Sequence, residues 1–260
     1  MTETNKNDMN YQAPLISIVL PAYNEEKNIK TVVEKILNFF TSKGTPHEII
    51  IVDDGSTDNT AAISKALTKK NPAVQMVMHE YNQGKGAAVQ SGMRLASGEL
   101  IFFLDADGST PVEEIEKLIP YFTAYEVVIG SRYLKDSAIL IKQPWYRVAL
   151  GRLGNTLIQR ILLPGIQDTQ CGCKGFQKQA AHAIFSRQRT KGWGFDMEIL
   201  ALSRALGYRI KEVAVSWHDT RDRMSRFRPF KDAIKTLYEL VHIKTNLIRD
   251  RYRLSSKKII

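Results

Sequence analysis

Glu48-Ile49-Ile50-Ile51-Val52-Asp53-Asp54-Gly55-Ser56-Thr57-Asp58 sets an unbroken apolar run against an acid-rich turn. Four aliphatic residues in succession leave neither face of a strand for solvent, so this strand is expected inside a sheet covered on both sides. Gly55 permits a tight turn, and Ser56, Thr57 or Asp58 can cap a helix read from about Asn59 to Lys69. Capping needs one acid. Two consecutive acids at the mouth of a buried strand point instead to recognition of a base N–H or a ribose hydroxyl.

The alternation extends both ways from this stretch. Leu15 to Leu20, Val74 to Met78, Leu100 to Leu104 and Val127 to Ile129 read as further strands. Helices are expected over Asn28–Phe40, Gly86–Ala96 and Val112–Phe122, the first with Ile29, Val32, Val33, Ile36, Leu37 and Phe40 at helical spacing. Strand–helix alternation with apolar strands implies an α/β fold built on a parallel sheet, whose ligands bind at the carboxyl ends of the strands. Three polar, acid-bearing turns converge there: Pro21-Ala22-Tyr23-Asn24-Glu25, Asp53 to Asp58, and Asp105-Ala106-Asp107-Gly108.

Residues i and i+2 at an extended strand end point the same way, so Asp105 and Asp107 can share one hard cation, Mg²⁺ or Mn²⁺. Such an ion turns carboxylates, which repel phosphate, into an anchor for a diphosphate. The alternative role for a strand-end Asp is to close the next turn. The chain has no G-x-x-x-x-G-K-[ST] and no G-x-G-x-x-G after the first strand, which argues against P-loop and dinucleotide-binding proteins.

The second half is less regular. Helices are read over Trp145–Leu163, Gln179–Phe185, Phe195–Leu206 and Phe230 to about Tyr252, with a strand at Arg209–Val215 and a Gly/Cys-rich turn over Asp168–Gly175. The last helix carries Ile234, Leu237, Val241 and Leu247 or Ile248 on one side, a stripe that either packs on the core or another subunit or rests on a membrane. Cys171 and Cys173 are too close for an unstrained disulfide and lack partners for zinc, so reduced thiols in a cytosolic protein are expected. His79, His182 and His242 show no metal spacing.

With 43% hydrophobic residues and no run near the roughly 18 apolar residues that span a bilayer, the composition is globular. Residues 1–12 are polar and are read as a disordered leader. The net charge of +10 is uneven: twelve Lys/Arg and five Asp/Glu lie between His218 and the C-terminus. This basic end suits anionic lipid, a phosphorylated substrate or a solvated helix face.

Pro21 to Glu25, Val52 to Asp58, Asn82-Gln83-Gly84-Lys85-Gly86 and Asp105-Ala106-Asp107 resemble, in order and spacing, the motifs of family-2 glycosyltransferases. Gly130-Ser131-Arg132-Tyr133, Asp168 to Phe176 and Gly194 to Glu198 are similar to the branch acting on dolichyl phosphate, nearer its glucosyl than its mannosyl members. The resemblance runs from about Leu15 to Ile248. It implies a Rossmann-like nucleotide-diphospho-sugar transferase fold, with a donor-side half (13–135), an acceptor-side half of the same catalytic domain (136–229) and a basic amphipathic helix and tail (230–260).

Roles implied by the resemblance follow residue by residue. Pro21, Tyr23 and Glu25 line the nucleoside pocket, Asp53 or Asp54 reads the base, and Lys85 and Ala106 contact the donor. Asp107, helped by Asp105, holds Mg²⁺ or Mn²⁺. Arg132, with Arg223 or Arg226, approaches the acceptor phosphate. Asp168, Trp193, Asp196 and Glu198 face the sugar and acceptor, and His218 lies near the Arg cluster. Two departures stand out: Ser109 replaces a frequent Gln or His metal ligand, and the Gly-Ser-Lys loop appears only as Met224-Ser225-Arg226. The Q-x-x-R-W motif of processive relatives is absent, so one sugar per acceptor is expected.

The reaction expected from the resemblance is inverting transfer of one sugar from UDP-glucose, with GDP-mannose the other candidate donor, to a polyprenyl phosphate. A phosphate monoester is mostly dianionic at pH 7 and needs cations more than a general base. Arg132, Arg221, Arg223, Arg226 and Arg228 are the candidate cations, although Arg221 to Arg228 also fits a solvated loop. The expected location is cytoplasmic, peripheral on the membrane through the basic tail 249–258 or through a membrane-protein partner. Other readings keep the donor site with a soluble or glycan acceptor, or make the chain a non-catalytic nucleotide- or nucleic-acid-binding protein. The carboxylates at Asp105 and Asp107 argue against nucleic acid.

Overall fold

The computed structural model describes residues 15–137, 154–218 and 229–254. Strands β1 (Ile16–Ala22), β2 (His47–Asp53), β3 (Val74–Met78), β4 (Leu100–Leu104), β5 (Val127–Ser131), β6 (Cys173–Gln177) and β7 (Ile210–Ala214) form one sheet in the order β3-β2-β1-β4-β6-β5-β7. Strand alternation builds a core layer on each face. Ile18, Leu20, Ile49, Ile51, Phe102 and Leu104 point toward α1 (Ile29–Ser42), α2 (Thr60–Lys70) and the short α4 (Ile115–Leu118). Val19, Ile50, Val52, Ile101 and Phe103 point the other way, toward α3 (Lys85–Leu95), α6 (Lys178–Phe185) and α7 (Phe195–Ala205). Consecutive aliphatics therefore each find a core, as the continuous apolar run requires.

Residues 168–175 depart most from the sequence reading. The expected turn leads into β6, which runs antiparallel between β4 and β5, so the sheet is mostly rather than wholly parallel. The strand is hard to see because Cys173 belongs to one layer, with Cys171 just ahead of the strand, while a charged residue, Lys174, shares the other with Phe176. Both cysteines are free and buried, and burial pushes the Cys171 thiol up to about 11. The helix expected over 112–122 is also broken. It consists of a 3₁₀ turn at Val112–Glu114, α4, and a 3₁₀ turn at Ile119–Thr123, where Pro120 lacks the N–H of a continuing α-helix.

Of the helix expected from Trp145, residues 154–161 (α5) are helical, and 145–153 lie outside the described residues. The last helix, α8, spans Pro229–Ile248 and stops short of Tyr252. Left-handed φ values at Asp250 (44°) and Arg253 (51°) turn the chain back on itself. The buried side of α8 carries Leu240, Ile243 and Asn246, whereas Leu237, Val241 and Ile248 of the expected stripe are exposed. Among the described residues no helix is long and apolar enough to cross a membrane.

Candidate active site

The carboxyl ends of β1, β2 and β4 lie side by side, with Ala22 paired to Asp53 and Val19 to Phe103. The loops after β1 and β2 are stitched together. Asn24 N–H donates to Ser56 Oγ (3.0 Å), Glu25 N–H to Thr60 Oγ1 (2.8 Å) and Glu26 N–H to Asp58 Oδ2 (3.2 Å). Asp58 also accepts the Thr60 N–H at 2.9 Å, so this acid, two residues ahead of α2, closes its own turn and cross-links the two loops. These bonds hold Pro21, the partly exposed Tyr23 and the half-buried Glu25 along the edge of the strand ends.

The two acids of the β2 turn have different surroundings. Asp54 is almost fully buried, with Oδ1 taking His79 Nδ1–H (2.7 Å) and the Gln83 N–H (2.9 Å), and Oδ2 the Gly84 N–H (2.8 Å). It fixes residues 79–84, which deliver the start of α3 through Gly84 at φ 102°. Asp53 is as deeply buried, yet only its Oδ2 meets a donor, the Ser56 N–H at 3.4 Å. Asp53 Oδ1 has no hydrogen-bond partner among the described residues. A buried carboxylate oxygen left unpaired costs about 1–3 kcal/mol, which a ligand N–H placed there would return.

Lys85, the first residue of α3, meets Asp105 Oδ1 at 2.6 Å and lies 5.1 Å from the ring of the exposed Trp193. Asp105 is pressed against Gly172, where a Cβ would fall 2.2 Å from its Oδ2, so the acid at the end of β4 also packs against the lead-in to β6. Buried Ala106 separates it from Asp107, whose Oδ1 accepts the Ser109 N–H at 2.9 Å. Ser109 in turn accepts the His218 N–H at its carbonyl oxygen (2.8 Å). No group of three His, Cys, Asp or Glu is placed to hold a metal among the described residues. Two carboxylates alone fit an octahedral Mg²⁺ or Mn²⁺ that completes its shell with substrate phosphate and water.

Beyond β4, two buried acids are matched to cations. Arg132, at the end of β5, forks onto Asp168 through Nε–H (2.7 Å) and an Nη2–H (2.9 Å), and its backbone N–H joins them at 3.0 Å. Burial would raise the Asp168 carboxyl, but the Arg132 charge and hydrogen bonds, with Lys174 nearby, hold it below the ordinary carboxylate range. Glu212 of β7 accepts the N–H groups of Gln167 and Asp168, both at 2.8 Å, and Trp217 lies 5.4 Å from the guanidinium. Lys174, fully buried, donates to Asp196 Oδ1 (2.5 Å) and the Cys171 carbonyl (2.6 Å). Burial pushes the Asp196 carboxyl upward, against the charges of Lys174 and Lys85.

The expected residues therefore gather in two groups. Pro21, Tyr23, Glu25, Asp53, Lys85, Asp105, Ala106, Asp107 and Trp193 surround the ends of β1, β2 and β4; Arg132, Asp168 and Asp196 follow across β6. Glu198 is fully buried, and its oxygens accept from Arg189 N–H, Thr190 N–H and Tyr252 Oη–H. Arg221, Arg223, Arg226 and Arg228 lie outside the described residues. Sequence reasoning missed His79, Lys174, Glu212 and Tyr252. Lys174 alone left a signal, a charge inside the Asp168–Phe176 motif.

A mostly parallel seven-stranded sheet with paired acids at its strand ends defines a nucleotide-sugar transferase of the Rossmann-like type. The chain belongs to glycosyl transferase family 2, whose profile matches residues 17–185, and it is a glycosyltransferase. It is 32% identical over 254 residues to the dolichyl-phosphate beta-glucosyltransferase of Dictyostelium discoideum, covering 93% of this chain and 77% of that one. The enzyme of the same name from Saccharomyces cerevisiae is 33% identical, again over 93% of this chain and 78% of the relative. Among solved structures, glucosyl-3-phosphoglycerate synthase from Mycobacterium tuberculosis, crystallised with Mn²⁺, UDP and phosphoglyceric acid, shares the fold. Its TM-score is 0.65 at 19% identity, covering 89% of this chain and 78% of that one.

Proposed function

We propose that the protein transfers one glucose, with inversion, from UDP-glucose to a polyprenyl phosphate. The observation that carries this reading is similarity to dolichyl-phosphate beta-glucosyltransferases along 93% of the chain. Asp53 Oδ1 accepts the imide N–H of uracil, with Tyr23 and Glu25 beside the nucleoside. Asp107, with Asp105, would hold Mg²⁺ or Mn²⁺, and Lys85, paired with Asp105, adds a cation for the diphosphate. When bound, that ion supplies charge stabilisation to the departing UDP.

Arg132 presents the acceptor phosphate with a guanidinium whose planar fork is already fixed by Asp168. The dianionic phosphate attacks the anomeric carbon directly, which converts an α-linked donor into a β-linked product. The lipid-bearing acceptor implies a peripheral position on an anionic membrane face. The exposed Leu237, Val241 and Ile248, with exposed Lys244, Arg249 and Arg251 around them, give α8 and its end the composition for such contact.

The test is transfer of radiolabelled glucose from UDP-glucose into butanol-extractable lipid, with polyprenyl phosphate and Mn²⁺ or Mg²⁺, and GDP-mannose run in parallel. Lipid-borne glucose that disappears with EDTA and with Asp107→Ala is expected. Label only in water-soluble product, or only from GDP-mannose, contradicts the acceptor or the donor respectively.

A further inference from the structure

Tyr252 follows α8 and has no place in a reading that extends one helix through it. The reversal at Asp250 tucks it into the core, 3% exposed, while Arg251 N–H donates to the Asn246 carbonyl at 2.9 Å. Its hydroxyl donates to Glu198 Oε1 at 2.6 Å. The other oxygen of that fully buried carboxylate accepts the N–H groups of Arg189 (3.0 Å) and Thr190 (2.7 Å). Arg189 reaches back, its guanidinium donating to the Arg251 carbonyl and lying 5.8 Å from the Tyr252 ring. Burial and the Glu198 charge raise the Tyr252 pKa, so the hydroxyl remains a donor at neutral pH.

The segment held in this way lies on the first turn of α3. Ala87 N–H donates to the Lys191 carbonyl (3.1 Å), and Gln188 Nε2–H donates to the carbonyls of Gly86 (2.9 Å) and Thr190 (2.8 Å). A Cβ at Gly84 would fall 2.6 Å from the Lys191 oxygen, and one at Gly86 the same distance from that of Thr190, so backbone meets backbone with no slack. Lys85 sits between those glycines, under Trp193 of the same segment.

We propose that Tyr252 and Glu198 are positioning residues, a buried latch that ties the C-terminal segment to residues 188–193 and so fixes Lys85 against the donor diphosphate. The proposal rests on the donor role given to Lys85 above. Asp53, on β2, stands outside this chain of contacts, so the latch bears on the phosphates and not on the base.

The test is binding of UDP and of uridine, with Mn²⁺ present, to the full chain and to Tyr252→Phe, which removes one oxygen and no carbon. UDP affinity is expected to fall about tenfold, the size of a lost hydrogen bond to a charged group, with uridine unchanged. Glu198→Gln can still accept both backbone N–H groups and turn its amide toward Tyr252, so it should recover most of the UDP affinity lost in Glu198→Ala. Unchanged UDP affinity in Tyr252→Phe overturns the latch, and so does a parallel loss of UDP and uridine, which marks general destabilisation. Failure of the unaltered protein to bind UDP overturns the donor reading itself.

Discussion

The donor rim, at the ends of β1, β2 and β4, and the acceptor rim, across β5, β6 and the start of α7, use buried acids in different ways. On the acceptor rim two buried acids are answered by protein cations: Asp168 by the fork of Arg132, Asp196 by Lys174. On the donor rim Asp53, just as buried, keeps an oxygen without a protein partner among the described residues. An acid already neutralised by the fold positions its cation. An acid with an oxygen to spare, as at Asp53, is shaped for a ligand. Asp105, shared with Lys85, stands on the boundary between the two.

The largest effect is expected at Asp107. Asp107→Ala should lower transfer by about a thousandfold or more in a steady-state assay, the equivalent of several kcal/mol of charge stabilisation lost at the leaving diphosphate. Across the sheet, Arg132→Met strands Asp168 in the core without its cation. Urea denaturation should show a loss of about 3–5 kcal/mol, and Arg132→Lys should recover part, since it restores the charge but not the fork.

Asp53→Asn sharpens the comparison on the other rim. It presents an N–H where an acceptor is wanted, so UDP affinity by calorimetry should fall by about 1.5–3 kcal/mol. Stability should hardly change, because Asp53 Oδ1 has no donor to lose among the described residues. A large stability loss there would erase the distinction between the rims.

The smallest effect is a pH signature. The Asp168 carboxyl is held below its ordinary value, so its stabilisation is full above about pH 4 and is lost as pH falls through the folded value. The Asp196 carboxyl is raised, so its contribution is greatest below the ordinary range and declines as pH rises through the folded value. Asp168→Asn should therefore flatten the acid limb of stability against pH, and Asp196→Asn should steepen it.

The donor rim was the more legible in sequence. The apolar runs before Pro21, Asp53 and Asp105 fix strand ends locally, and parallel crossover topology brings those ends together. What stayed hidden depends on contacts distant in sequence. Asp54 is occupied by His79, Gln83 and Gly84, so of the two acids offered for the base, Asp53 is the one with an oxygen to spare. β6 went unread because Lys174 breaks its apolar pattern, and the charge is affordable only with Asp196 22 residues away. Glu198 reads as one of a motif's acids, yet its partners include Tyr252, 54 residues on. The role of the Leu237–Val241 stripe of α8 stayed open in sequence because the helix has two apolar faces, and periodicity does not say which one packs on the core.

The most direct test of the two-rim account sets Asp107→Ala beside Arg132→Lys in one experiment, measuring UDP affinity with Mn²⁺ and the KM for polyprenyl phosphate. Asp107→Ala should lose UDP binding, while Arg132→Lys should keep it and show a raised acceptor KM. Loss of UDP binding in both variants, or an unchanged acceptor KM in Arg132→Lys, would contradict the division of the site into a rim for the donor and a rim for the acceptor phosphate.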